Sequence, residues 1–175
     1  MVRTGILISL TAVLLGVSQP VSPQAVEQTQ FCAEDESVSK PTVLPPAVRQ
    51  ILVADRDVSN ELKHNGLQVT QLPDTWFSTS VVHLNGSSEI DLLVEAEGLL
   101  RGANVNSFWI FRPTSTGFAQ ILNAPAHDLI IKRSRSRGYR DIKIMAVIAM
   151  RVMTVEYRFD GIQYQPRSRT NESIR

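Results

Sequence analysis

Cysteine occurs once in this chain of 175 residues, at Cys32. An internal disulfide is thereby excluded, so the fold must rest on burial of apolar side chains, which a chain of this length can manage. An exported lone thiol can pair between chains or react. Glu34, Asp35 and Glu36 follow Cys32 closely, and nearby carboxylates raise a thiol's pKa and suppress the thiolate. Cys32 therefore reads as incidental to chemistry, with an intermolecular disulfide as the alternative. Histidine is almost as scarce. His64, His83 and His127 fall in no H-x-x-x-H spacing of a metal-binding helix. Strand alternation would turn His127 and Asp128 to opposite faces, away from a base–orienter pair. No G-x-S-x-G elbow frames a serine and no glycine-rich loop is present to cradle a phosphate. No cofactor is expected, and no catalytic residue stands out.

Long apolar runs are also missing. The longest, Gly5 to Val17 (GILISLTAVLLGV), is shorter than the roughly 20 residues that cross a bilayer. Met1-Val2-Arg3 precedes it and the turn-forming, polar stretch Ser18 to Ala25 follows. That order of basic, apolar and small-polar segments is read by an export machinery. The expectation is a signal peptide over 1–25, cut near Ala25 or near Gly16-Val17-Ser18, and a secreted or periplasmic product with no transmembrane segment after its removal. No cysteine follows Leu14-Leu15-Gly16 directly, so a lipid anchor is not expected. A formal net charge of +1 argues against a general nucleic-acid or membrane binder, although distribution matters more than the sum.

What is present is an ordinary globular balance, 43% hydrophobic and 20% charged. Residues 26–44, with proline, serine and acidic side chains, read as a flexible leader. A single domain over 45–166 and a disordered tail over 167–175 follow. Pro45-Pro46 suits a helix start. Val48, Ile51, Leu52, Val58 and Leu62 then keep helical spacing as far as the stop at Asn65-Gly66. Beyond Leu67 the texture is short strands between turn signals. Expected strands are 67–72, 76–84, 90–95, 107–112, 118–122, 129–134, 139–148, 152–159 and 162–165. Met153, Val155, Tyr157 and Phe159 alternate with polar residues, the mark of a half-buried strand. Asp160-Gly161 suits a two-residue hairpin turn. Such spacings leave no room for crossover helices, so the sheet should be antiparallel. The expected class is α+β: one N-terminal helix packed on an antiparallel meander sheet of about six to nine strands.

One constellation suggests ligand chemistry. His83 to Val94 reads HLNGSSEIDLLV, close to the loop D-x-N-G-D-G-x-x-D that precedes an apolar strand. In that loop alternate oxygens around a tight turn hold calcium, which takes six to eight of them. Asn85, Gly86 and Asp91 match, while His83, Ser87 and Ser88 depart and remove two anionic oxygens. Asn85, Ser87 and Asp91 are thus weak metal candidates, and a turn whose metal has been lost is the simpler account. Further on come Phe108-Trp109-Ile110-Phe111, Arg137-Gly138-Tyr139 with Asp141, and Tyr157-Arg158-Phe159-Asp160-Gly161 with Tyr164. Together with the degenerate FG-GAP-like loop, this series resembles a family of small, uncharacterised exported bacterial proteins, from about Trp76 to Tyr164. The resemblance implies a fold with structural turns and supplies no catalytic residues.

The second feature is basic: Lys132, Arg133, Arg135, Arg137, Tyr139 and Arg140 within nine positions, KRSRSRGYR. On a strand, Arg133, Arg135 and Arg137 would share a face, and Gly138 would turn the chain back. Several guanidiniums together can grip phosphates or carboxylates in bidentate fashion. An anionic envelope polymer, a lipid headgroup or an acidic protein are the candidate partners. The alternative is a solvated hairpin whose charges protect a sheet edge. One aromatic among these charges gives no stacking platform for nucleic acid. Glu95 and Glu97 could share a face as paired carboxylates, or be solvated surface groups. The expected function is an exported, non-enzymatic binding or interaction domain that contacts an anionic partner through the basic hairpin. A small exported hydrolase with a dispersed site, or a structural domain with a lost calcium loop, are the competing readings.

Overall fold

The structure is a computed structural model that describes residues 27–34, 41–86 and 89–173. The expected signal segment 1–25 and the candidate ligand Ser87 lie outside these residues.

Among them are nine strands and two short helices. All strand pairs are antiparallel, as the spacing of turn signals required. There are two sheets, however, and not one meander. Strands β2 (Phe77–Val82), β3 (Asp91–Ala96), β4 (Asn106–Thr114) and β5 (Gly117–Ala126) form a four-stranded sheet in chain order. Strands β6 (Asp128–Ser136), β7 (Tyr139–Ile148), β8 (Arg151–Phe159) and β9 (Tyr164–Ser173) continue in a second sheet, with β1 (Gln30–Cys32) added beside β6. The chain changes sheets at one residue, His127, between β5 and β6. The fold is therefore mostly β, and the expectation of a helix on a single sheet is corrected.

Burial explains the layering. Leu93, Phe108, Ile110 and Leu122 from the smaller sheet meet Leu129, Ile131, Ile142, Ile144 and Phe159 from the larger one in a first core. Leu92, Val94, Trp109 and Phe111 point the other way, onto Val48, Leu52, Val58 and Leu62 of the helices. β3 is thus buried along its whole length. A strand covered on both faces loses its alternation and reads as a continuous apolar run. Leu92 to Val94 shows that pattern.

The single helix expected between Pro45 and Gly66 is broken in two, α1 (Pro46–Leu52) and α2 (Arg56–His64). Asp55 is the cause. Its Oδ1 accepts from the N–H groups of Asp57 at 2.9 Å and Val58 at 3.4 Å, a helix N-cap. Its Oδ2 accepts from Trp109 Nε1 at 3.0 Å and Asn123 Nδ2 at 2.9 Å. One carboxylate therefore starts a helix and fastens it to the sheet. The stop at Asn65-Gly66 is as expected, with Gly66 at φ 64° and Leu67 N–H donating to the Leu62 carbonyl.

Four other expectations are corrected. The segment 67–72 is a 3-10 turn over Val69–Gln71 and not a strand, because the Gln71 side chain accepts from Gln68 N–H and Pro73 follows. Part of the 26–44 leader is β1, which covers the otherwise open edge of β6, and Pro41 bridges Ser80. The expected tail is strand as far as Ser173, since the β8 edge pairs with it from Arg151 to Phe159. The Asp160-Gly161 turn is also longer than two residues. Asp160 Oδ1 accepts from Ile162 N–H and Gln163 N–H, closing a four-residue connection. Two-residue turns occur instead at Arg137-Gly138 and Ala149-Met150, all four with positive φ.

Replacing Asp55 by Ala removes a cap worth about 1 kcal/mol and strips a buried indole N–H of its acceptor, about 1–3 kcal/mol. Urea unfolding of Asp55→Ala should show a loss of roughly 2–4 kcal/mol with the slope unchanged.

Candidate functional site

The basic hairpin is β6–Arg137-Gly138–β7, and Gly138 turns the chain where the sequence indicated. Its cations do not form one face. A register shift between Ile131 and Arg135 breaks the alternation that would have aligned them. Arg140 points inward. Its Nε donates to the Lys132 carbonyl at 2.8 Å, its NH2 to the Ile131 carbonyl at 3.2 Å, and its NH1 pairs with Glu27 at 3.1 Å. These bonds reach the β6 backbone at the point where the β6–β7 register shifts. Lys132 pairs with Glu156 at 2.6 Å across two strands. Arg135 donates from one nitrogen to the carbonyls of Leu84 and Gly138, both at 2.8 Å. Tyr139 stacks on Phe159 at 4.1 Å between centroids, as part of the core margin. Arg133, Arg135 and Arg137 are exposed and without an ion pair among the described residues, and of these Arg135 is held by the two carbonyls.

Arg135 also explains the degenerate calcium-like loop. A Cβ added at Gly86 would lie 3.4 Å from its guanidinium, and Leu84 O, a loop carbonyl, already receives its N–H. A cation therefore lies against this loop as a side chain. Asn85 donates to Glu89 at 3.3 Å and to the Tyr139 hydroxyl at 3.5 Å. Asp91 is fully buried. Its Oδ2 accepts from Leu84 N–H at 3.2 Å, and its Oδ1 has no hydrogen-bond partner among the described residues. Burial pushes its pKa up to about 6 against the pull of the Leu84 hydrogen bond, and the Glu89 charge adds to the rise.

Two groupings were not legible in the sequence. The first joins Cys32 to His127, 95 positions apart, with Sγ 3.9 Å from Nδ1. Glu34 Oε1 lies 3.5 Å from Nε2 and Asp128 Oδ2 lies 3.2 Å from Nδ1. The alternation rule failed for His127 and Asp128 because His127 belongs to neither strand; it is the corner between sheets. Burial alone would lower the His127 pKa, but its hydrogen bonds to Asp128 and Glu34, and their charges, outweigh burial and raise it. The paired-carboxylate idea fails differently. Glu95 is buried and accepts from Asn106 at 3.0 Å, whereas Glu97 pairs with Arg101 at 3.5 Å.

The second grouping lies along β8 and β9. Two adjoining depressions, about 420 and 410 Å³, share Arg169. Met153, Val155, Tyr157 and Pro166 give them an apolar floor, with Arg151, Arg167 and Arg169 at the margin. None of these arginines has a carboxylate within ion-pair distance among the described residues. At the β7–β8 turn, Val147, Ile148 and Met150 stand 43%, 53% and 70% exposed. Ala149 and Met150 hold φ of 48° and 62°, a conformation unfavourable for a non-glycine side chain. No polar residue or glycine relieves this apolar apex, and the only sequence signal was the tetrapeptide Ile148-Ala149-Met150-Arg151 itself. No protein-family model, curated protein or solved structure matches this chain.

Two predictions concern these groups. Arg135→Ser should cost about 0.5–1.5 kcal/mol in urea unfolding, because two hydrogen bonds are lost while the Leu84 carbonyl keeps the Arg140 N–H at 2.8 Å. Arg133→Ser and Arg137→Ser should stay within about 0.5 kcal/mol. For Asp91, the unfolded carboxyl ionises near pH 4 and the folded one near pH 6. Stability therefore falls as pH rises through that window. Measured at each pH, wild type should lose roughly 2.4 kcal/mol relative to Asp91→Asn between pH 4 and 7.5.

Proposed function

We propose that this protein is a non-enzymatic exported binding domain that docks peripherally on anionic lipid headgroups. The exported setting rests on the basic, apolar and polar order before Ala25. The contact is the β7–β8 end of the larger sheet, where Ile148 and Met150 project and Arg151 and Arg169 stand behind them. The observation that carries the reading is this pairing of an exposed apolar apex with cations that pair with no carboxylate among the described residues. Apolar side chains enter the boundary between headgroups and acyl chains, and adjacent arginines hold phosphates, each contributing about 1 kcal/mol at an anionic surface. A wholly hydrophilic polymer would leave the apex without a role.

The basic hairpin of the sequence expectation is a separate surface. Its exposed Arg137 precedes β7 and Met150 follows it, so the two lie at opposite ends of a strand of ten residues, roughly 30 Å apart by strand rise. An acidic polymer or protein held by Arg133 and Arg137 is therefore the competing reading, distinguishable by variant.

The test is co-sedimentation of the chain from Val26 onward with vesicles of phosphatidylcholine alone or mixed with phosphatidylglycerol. Binding should require the anionic lipid and weaken with salt. Arg151→Ser/Arg169→Ser should lower affinity roughly 30-fold, at about 1 kcal/mol per arginine. Met150→Asn, which suits a positive φ, should lower it without loss of fold. Arg133→Ser/Arg137→Ser should leave it unchanged. Equal binding to both vesicles, no binding, or sensitivity only to the hairpin variant would overturn the assignment.

A further inference from the structure

The corner at which the chain passes between sheets gathers donors of three kinds. Cys32 ends β1, directly opposite Asp128 in the β1–β6 register. Ala33 N–H donates to the His127 carbonyl at 2.7 Å, and His127 N–H donates to the Met145 carbonyl at 2.7 Å. Both side chains thus stand on backbone fixed by strand pairing. Arg101 also donates to the Ala33 carbonyl and holds the turn that carries Glu34.

We propose that Cys32, His127 and Glu34 form a binding site for a zinc-class divalent cation. A ligand atom from each, Sγ, a ring nitrogen and a carboxylate oxygen, lies within 4.8 Å of the other two. In a tetrahedral zinc site, with bonds of about 2.0–2.3 Å, neighbouring donors stand about 3.3–3.8 Å apart. Sγ stands 3.9 Å from Nδ1 and Glu34 Oε1 stands 3.5 Å from Nε2, so a metal on either ring nitrogen has one donor near that spacing and must draw in the other. Glu34 is 80% exposed, so its side chain can swing to whichever ring nitrogen binds. Asp128 Oδ2 is 3.2 Å from Nδ1, so with the metal on Nε2 it holds the other ring nitrogen, as outer carboxylates do at metal-bound histidines.

The donor set selects the metal class. Calcium and magnesium take oxygen ligands, whereas a thiolate with an imidazole and one carboxylate suits zinc and its neighbours in the first transition row. Three protein ligands leave a fourth position for water or an exogenous group. The site shares no residue with the β7–β8 end, so its failure and the failure of the lipid reading are separate results.

The test uses the purified full chain under a metal-free phosphine reductant, titrated with Co²⁺ and then displaced by Zn²⁺. One equivalent of Co²⁺ should produce a near-ultraviolet thiolate-to-metal band, and Zn²⁺ should abolish it. Cys32→Ser should lose the band, and His127→Gln should bind Zn²⁺ weaker by more than about 100-fold, beyond the roughly 10–100-fold that loss of an outer-shell partner costs. His64→Gln, at an exposed helix end, should match wild type. Thermal melts in chelator establish that each variant is folded. Absence of stoichiometric binding, a Co²⁺ complex without the thiolate band, or equal Zn²⁺ affinity in wild type, Cys32→Ser and His127→Gln would each overturn the site.

Discussion

The described structure is arranged around two strands, β3 and β4, whose side chains are buried on both faces of their sheet. With one cysteine and no disulfide available, stability must come from apolar area removed from water, about 25 cal/mol per Å². A sheet covered on one side only would leave half of β3 and β4 in solvent. Here Leu93, Phe108 and Ile110 serve the core toward the larger sheet, and Leu92, Val94, Trp109 and Phe111 serve the core beneath the helices. The two cores therefore share the same strands. Damage to β3 or β4 should be felt in both.

Such a layered core must be registered by polar groups, because apolar contacts are not directional. Asp55 does this on the helix side by capping α2 while accepting from Trp109 and Asn123. Arg140 does it within the larger sheet, donating to the carbonyls of Ile131 and Lys132 beside the register shift. The Tyr164 hydroxyl donates to the Arg140 carbonyl at 2.6 Å and fixes the same place from β9. A buried group left without its partner costs more than the bond itself contributes. Charges that look like a binding motif in sequence are, at these positions, structural.

That distinction changes where a partner would be met. A run of cations implies a surface only if its members alternate regularly and remain without internal acceptors. The register shift at Ile131/Arg135 breaks the first condition; Glu156, Glu27 and several carbonyls break the second. Cations left over elsewhere, Arg151 and Arg169, are scattered along the sequence and converge only because β8 and β9 pair. The corner at His127 works in the same way. It places Cys32 and His127 together through β1–β6 pairing across 95 positions.

Local information settled a good deal by itself. Pro45-Pro46 and Asn65-Gly66 bound the helical region, Gly138 and the alternation of Met153 to Phe159 were legible as turn and strand, and close strand spacing dictated antiparallel pairing. These depend on neighbours a few residues apart, where backbone sterics and side-chain period act directly. The division into two sheets, the break at Asp55, the strand formed by residues 164–173 and the inward turn of Arg140 were decided by tertiary structure. Each depends on which distant group supplies a hydrogen-bond partner or covers an apolar face. Such choices lower free energy only when the layers come together, so no window of sequence contains them.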